Sequence, residues 1–146
     1  MFKLSTKGRY SARLMLDLAL SYGKGPVALK DVAKRQENSE KYLEHLIVPL
    51  KKAKLIHSSR GAHGGYVLLK PPSGINLKEI ITAVEGPMWI VECTQNPSVC
   101  KRAKDCLSRE AWNELSEKIT ETLSALTLEK IIDKNTHNGE EFCYVI

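Results

Sequence analysis

The stretch that most constrains the fold is Leu107–Leu126, LSREAWNELSEKITETLSAL. Leu107, Ala111, Trp112, Leu115, Ile119, Leu123 and Leu126 recur at steps of one, three and four, which draws one apolar stripe along a helix whose other face is charged. A chain of 146 residues supports one domain of ordinary size, or a small domain with a dimerisation arm. Little is left over to cover such a stripe, so a second copy is expected to supply the cover. The alternative is packing back onto the chain's own first helix, and both can occur in one dimer.

Charge divides the chain. Residues 1–72 hold 14 Lys and Arg against 5 Asp and Glu, whereas residues 73–146 hold 8 against 12. A polyanion would therefore meet the first half and not the second. No apolar run approaches the roughly 18 residues of a membrane span, and MFKLSTKGRY lacks the apolar region of a signal peptide. A cytoplasmic protein with reduced thiols is expected, without contact to a membrane.

Within the basic half, TKGRYSARLMLDLALSY (residues 6–22) places Tyr10, Leu14, Leu18 and Tyr22 at steps of four, which predicts an amphipathic helix ended by Gly23, Gly25 and Pro26. Lys7 and Arg9 oppose the helix dipole near its start, and a bound phosphate would give them a reason to be there. A short helix follows at Leu29–Gln36, with Leu29, Val32 and Ala33 inward. Glu37 and Asn38 turn the chain, and Ser39 N-caps the next helix, which buries Leu43, Leu46, Ile47 and Leu50. Pro49 is expected to kink or loosen its last turn.

Two short helices joined by a tight turn in a basic context read as a helix-turn-helix. Ser39, Glu40, Lys41, Tyr42, Glu44 and His45 then become candidate DNA contacts. LIHSSRGAHGGYVLL (residues 55–69) predicts a β-hairpin with strands Leu55–Ser59 and Tyr66–Leu69, and with Gly61, Gly64 and Gly65 in positive-φ positions at the tip. A hairpin after a reading helix is a wing. Arg60 is suited to a narrow minor groove, with His63, Gly64 and Gly65 beside it. Asn76 and Glu79 predict a capping box for LKEIITAVEG, and Thr127 a cap for a last short helix.

Between these parts lies WIVECTQNPSVCKRAKDC, with six residues between Cys93 and Cys100 and five between Cys100 and Cys106. Thiolates bind soft metals and iron–sulfur clusters. The spacing lacks the short pair of a zinc knuckle, and a cluster, a zinc ion and a thiol switch all stay open. No Walker, zinc-protease or nucleophile-elbow motif is present, so no enzyme is expected.

LSTKGRYSARLMLDLAL, KYLEHLIVPLKKAKLI, SSRGAHGGYVLLKPP, GINLKEIITAVEGP and the three-cysteine segment together resemble the IscR/NsrR-type bacterial transcription regulators, over most of residues 2–132. The tail NGEEFCYVI is more similar to the cysteine-metabolism repressors of the same family, which lack the cluster cysteines. The resemblance implies a mainly α fold with a small β-wing, a winged helix-turn-helix plus a long dimerisation helix. It implies a homodimer on a two-fold related double-stranded operator, with an iron–sulfur cluster on Cys93, Cys100 and Cys106. A two-iron cluster is preferred and a four-iron one left open. In the iron–sulfur assembly regulator a histidine three residues after the last cysteine is the fourth ligand. Here Arg109 stands there, so Glu110, His137, Cys143 or the second subunit become candidates.

The expected organisation is a DNA-binding domain over 1–72, a cluster loop with dimerisation helices over 73–135 and a tail over 136–146. The expected function is a regulator sensing iron–sulfur status or oxidative or nitrosative stress. One alternative is a cluster-free repressor of cysteine metabolism, answering to thiol oxidation or to a cysteine-biosynthesis enzyme as partner. A second is a small iron–sulfur electron carrier.

Overall fold

A computed structural model describes residues 3–136. Within them the chain forms α1 (Thr6–Leu20), α2 (Leu29–Arg35), α3 (Glu40–Lys52), β1 (Ile56–Ser59), β2 (Gly65–Leu68), α4 (Leu77–Glu85), α5 (Glu92–Gln95), α6 (Leu107–Ala125) and α7 (Leu128–Thr136). Short 3-10 turns precede α4 and follow α5. The expected class, mainly helical with a small antiparallel sheet, is the one observed.

α1 starts where the Ser5 hydroxyl accepts the Gly8 N–H at 3.0 Å. It stops at Leu20, two residues short of the expected Tyr22, because the chain turns toward Gly23 at φ 80°. Tyr22 is consequently exposed. Leu14, Met15 and Leu18 are buried against the rest of the core. Small residues let α4 come close: Gly8 is buried, and a Cβ there would collide with the Glu85 carboxylate. The Ser5 hydroxyl donates to that same carboxylate, which joins the start of α1 to the end of α4.

The helix-turn-helix is built as the sequence predicts. Leu29, Val32 and Ala33 of α2 and Leu43, Leu46, Ile47 and Leu50 of α3 are all buried. Truncating a fully buried leucine such as Leu50 to alanine costs about 2–5 kcal/mol in comparable cores. Ser39 caps α3 through the Tyr42 N–H at 3.1 Å. Pro49 does not end the helix, which runs on to Lys52 and closes with the Ala53 N–H on the Pro49 carbonyl at 3.0 Å. A proline near a helix end removes only one ladder bond, and the packing of Leu46, Ile47 and Leu50 outweighs it.

β1 and β2 pair antiparallel with Ile56 opposite Leu68 and Ser59 opposite Gly65. Val27 adds a third, single-residue rung by exchanging both backbone bonds with Tyr66, at 3.0 and 2.9 Å. The Lys51 ammonium donates to the Ser58 hydroxyl at 3.0 Å, tying the end of α3 to the wing.

The capping box at α4 is complete. Glu79 N–H donates to the Asn76 side chain at 2.9 Å, and the Glu79 carboxylate accepts from the Asn76 N–H at 3.1 Å. The core is continuous across the Pro71–Gly74 turn, since Ile75, Ile80, Val84 and Leu128 join the residues of α1 and α3. Leu77 N–H bonds the Leu126 carbonyl at 3.0 Å and Leu128 N–H the Ile75 carbonyl at 2.9 Å. Thr127 caps α7 as expected, accepting the Lys130 N–H at 3.2 Å.

Candidate nucleic-acid interface and cysteine loop

Ser39, Glu40, Lys41, Glu44 and His45 all lie on exposed positions of the first turns of α3 and its cap. Tyr42 is half-buried, and its ring meets Tyr10 edge-on, with centroids 5.8 Å apart and planes at 85°. It packs α3 against α1 as well as bordering the exposed face. Lys7 and Arg9 are exposed in the first turn of α1, and Arg9 donates to the Thr6 hydroxyl at 3.4 Å. Arg60 and His63 are exposed at the hairpin tip.

The tip glycines differ from expectation. Gly61 has φ 114°, but Gly64 and Gly65 do not share a positive φ. Their reason is space. A Cβ on Gly64 would run into the Ser59 carbonyl, and one on Gly65 into the Val27 carbonyl. Both residues let backbones meet inside the wing, a demand that turn chemistry alone does not signal.

The cysteine segment has more local structure than its sequence suggests. α5 begins just before Cys93, and a 3-10 turn at Pro97–Val99 leads to Cys100. Cys106 is the residue preceding α6, and all three thiols are free, with Cys100 exposed and Cys93 and Cys106 half-buried. The Cys106 thiol is held below its ordinary value, chiefly by the Ser108 hydroxyl 3.3 Å from its sulfur and then by the Arg109 backbone N–H. Arg109 does not point to open solvent, because its Nε donates to the Cys93 carbonyl at 3.0 Å. Among the described residues no three His, Cys, Asp or Glu side chains stand close enough to hold a metal ion. Three thiolates are the donors that iron–sulfur clusters take, but their geometry does not fit a cluster in this conformation. His137 and Cys143 lie outside the described residues, with the rest of the tail.

Within α6 no residue is buried. Leu107 is 95% exposed, and Trp112 and Leu115 remain open to solvent beside it. The N-terminal half of the apolar stripe that the sequence draws is therefore left uncovered by its own chain, while Ile119, Leu123 and Leu126 are half-buried.

A polar cluster under the helix-turn-helix escaped the sequence reading. Asp17, 3% exposed, accepts two bonds from Arg35, at 3.0 and 2.6 Å, and one from the Gln36 amide at 3.1 Å. Its signal was present as a single acid inside the apolar run LMLDLAL of α1. An acid on a buried face requires partners.

Short helices α2 and α3, the four-residue turn between them and the hairpin behind define a winged helix-turn-helix protein of the DNA-binding type. A model of the Rrf2 family, described as an iron-dependent transcriptional regulator, matches residues 4–134. CymR of Bacillus subtilis is 38% identical over 144 residues, covering 99% of each chain. IscR of Photorhabdus laumondii is 40% identical over 131 residues, 90% of this chain and 79% of its own. The solved structure of T. potens IscR, 36% identical, covers 98% of this chain and 95% of its own with a TM-score of 0.78. The chain thus belongs to the Rrf2 family and is a transcriptional regulator, not an enzyme. Among the described residues no helix is long and apolar enough to cross a membrane.

Proposed function

We propose that the chain acts in the cytoplasm as a homodimeric operator-binding regulator whose grip on DNA answers to an iron–sulfur cluster on Cys93, Cys100 and Cys106. One observation carries this reading: three accessible thiols share one loop, between the α1–α4 body and the unburied α6. Thiolates suit iron, and Lys101, Arg102 and Lys104 would offset the negative charge of a cluster. A two-iron cluster is preferred. Arg109 is engaged with the Cys93 carbonyl, so the fourth ligand comes from Glu110, the tail or the second subunit.

On the DNA side, α3 enters the major groove with Ser39, Glu40, Lys41, Glu44 and His45, while Arg60 reaches the minor groove beside His63. Lys7 and Arg9 meet phosphates. A dimer through α6 sets half-sites about one helical turn, or a multiple, apart. Residues 1–72 serve as the reading unit and 73–135 as the sensing and pairing unit.

A second reading is favoured by two observations, the lack of convergence among the thiols and the likeness to CymR along nearly the whole chain. It is a cluster-free regulator of cysteine metabolism that answers to thiol oxidation or to a cysteine-biosynthesis enzyme. Anaerobic purification with iron and sulfide analysis separates the two. A brown protein whose iron is lost in Cys100→Ala supports the first reading. A colourless, iron-free protein that binds DNA supports the second. If brown protein, apo-protein and Cys100→Ala give the same DNA-binding curve, cluster sensing is ruled out while DNA binding stands.

A further inference from the structure

We propose that Gln36, held between Asp17 and Arg13, is a positioning residue that fixes the docking angle of α3 and thereby sets how sharply the protein discriminates among DNA sequences. The inference rests on the reading that α3 enters the groove.

Gln36 is 1% exposed. Its Nε2 donates to Asp17 Oδ2 at 3.1 Å, and its Oε1 accepts from Arg13 Nε at 2.8 Å. A carboxylate sits at one end of the amide and a guanidinium at the other, so only one orientation of the carboxamide satisfies both. Its backbone is gripped as well. Gln36 N–H bonds the Val32 carbonyl at 2.8 Å, and its own carbonyl accepts from Arg13 Nη2 at 3.4 Å. The next residue, Glu37, takes φ 49°, a conformation a non-glycine residue holds only when its neighbours fix it. The chain leaving this clamp reaches the Ser39 cap within three residues.

A second path leads from the same cluster to the same place. The Arg13 guanidinium lies over the Tyr10 ring, 5.1 Å from its centroid. Tyr10 in turn meets Tyr42 edge-on. Tyr42 is the third residue of α3, and its N–H is the one that Ser39 caps. So α1 holds the first turn of α3 both through the preceding turn and through the aromatic pair.

Polar networks in which every member is satisfied specify one arrangement more than they add stability. Base-edge bonds are short and directional, so a small tilt of α3 removes them. Phosphate contacts by long cationic side chains follow such a tilt, and they carry the sequence-independent affinity. Loosening the clamp should erase discrimination and spare general DNA binding. A purely structural role would lower both.

The test takes a duplex that the wild-type protein selects from a random library, and a shuffled duplex of the same composition. Gln36→Leu removes both amide bonds, and Arg13→Lys keeps the charge while removing the fork. Each should lower the operator-to-shuffled affinity ratio at least about tenfold, the scale of one lost base contact. Affinity for the shuffled duplex and its salt slope should stay within about twofold. A retained ratio in both variants overturns the proposal, as does equal weakening on both duplexes. If Gln36→Leu does not melt cooperatively, Arg13→Lys decides alone. Lys41→Ala and His45→Ala test the underlying reading separately: if neither weakens operator binding, α3 is not the reading element.

Discussion

Arg109 and Cys93 are joined by a hydrogen bond from the arginine Nε to the cysteine carbonyl at 3.0 Å. The bond ties the first turn of α6 to α5 and fills the place where the family resemblance sets a histidine ligand. We expect Arg109→His to lengthen the lifetime of a cluster in air, followed as decay of visible absorbance. Arg109→Ala should instead free the loop, raising the rate of Cys93 alkylation several-fold without altering affinity for non-operator DNA. Equal cluster lifetimes in wild type and Arg109→His would exclude position 109 from ligation.

Cys106 should be the thiol whose reactivity depends on its helix. In metal-free protein with Cys93 and Cys100 replaced by serine, alkylation of Cys106 is expected to titrate below the ordinary thiol range. The thiolate is the reacting form, so the rate falls as pH drops through the lowered value and is level above it. Ser108→Ala removes the largest contribution to the shift and should move the midpoint upward. An unmoved midpoint would show that the hydroxyl is not the cause.

The open face of α6 predicts self-association. Leu115→Glu and Trp112→Ala should each weaken the dimer by about 2 kcal/mol or more, roughly thirtyfold, the range of buried anchor residues. Sedimentation over a dilution series reads this directly. Helix content should be unchanged, because neither side chain is buried within its own chain.

Gly65→Ala should destabilise the wing, since its Cβ would meet the Val27 carbonyl. We expect a loss of about 1–3 kcal/mol in urea unfolding, the usual penalty of a backbone forced aside. Gly61→Ala meets no atom but must hold φ 114°, so it should also cost stability while leaving the Val27–Tyr66 rung in place. Amide exchange at Tyr66 distinguishes the two variants.

Elements carried by period and caps were legible in the sequence. Ser39, Asn76 with Glu79, and Thr127 each announced a helix start, and Leu43, Leu46, Ile47 and Leu50 announced a buried face. The packing partners of these faces were not, because periodicity says which side is buried and never against what. Asp17 announced itself only as an acid in an apolar run and Gln36 not at all, and only the folded chain brings Arg13 and Arg35 to them. The three cysteines were visible as a set. Whether they converge depends on loop geometry that spacing does not encode, and here they do not. Gly64 and Gly65 were recognised as necessary, but for a torsional reason where the cause is steric.

The paired backbone bonds between Ile75–Leu77 and Leu126–Leu128 anchor α6 at its C-terminal end, whereas Cys106 and the thiol loop sit at the other. Nineteen residues make a rod about 28 Å long at 1.5 Å per residue. A swing of about 5° around that fixed end would carry the cysteine end by roughly 2 Å. In the homodimer proposed above, an event at the thiol loop would act at the far end of that lever, on the helix that carries the open apolar face.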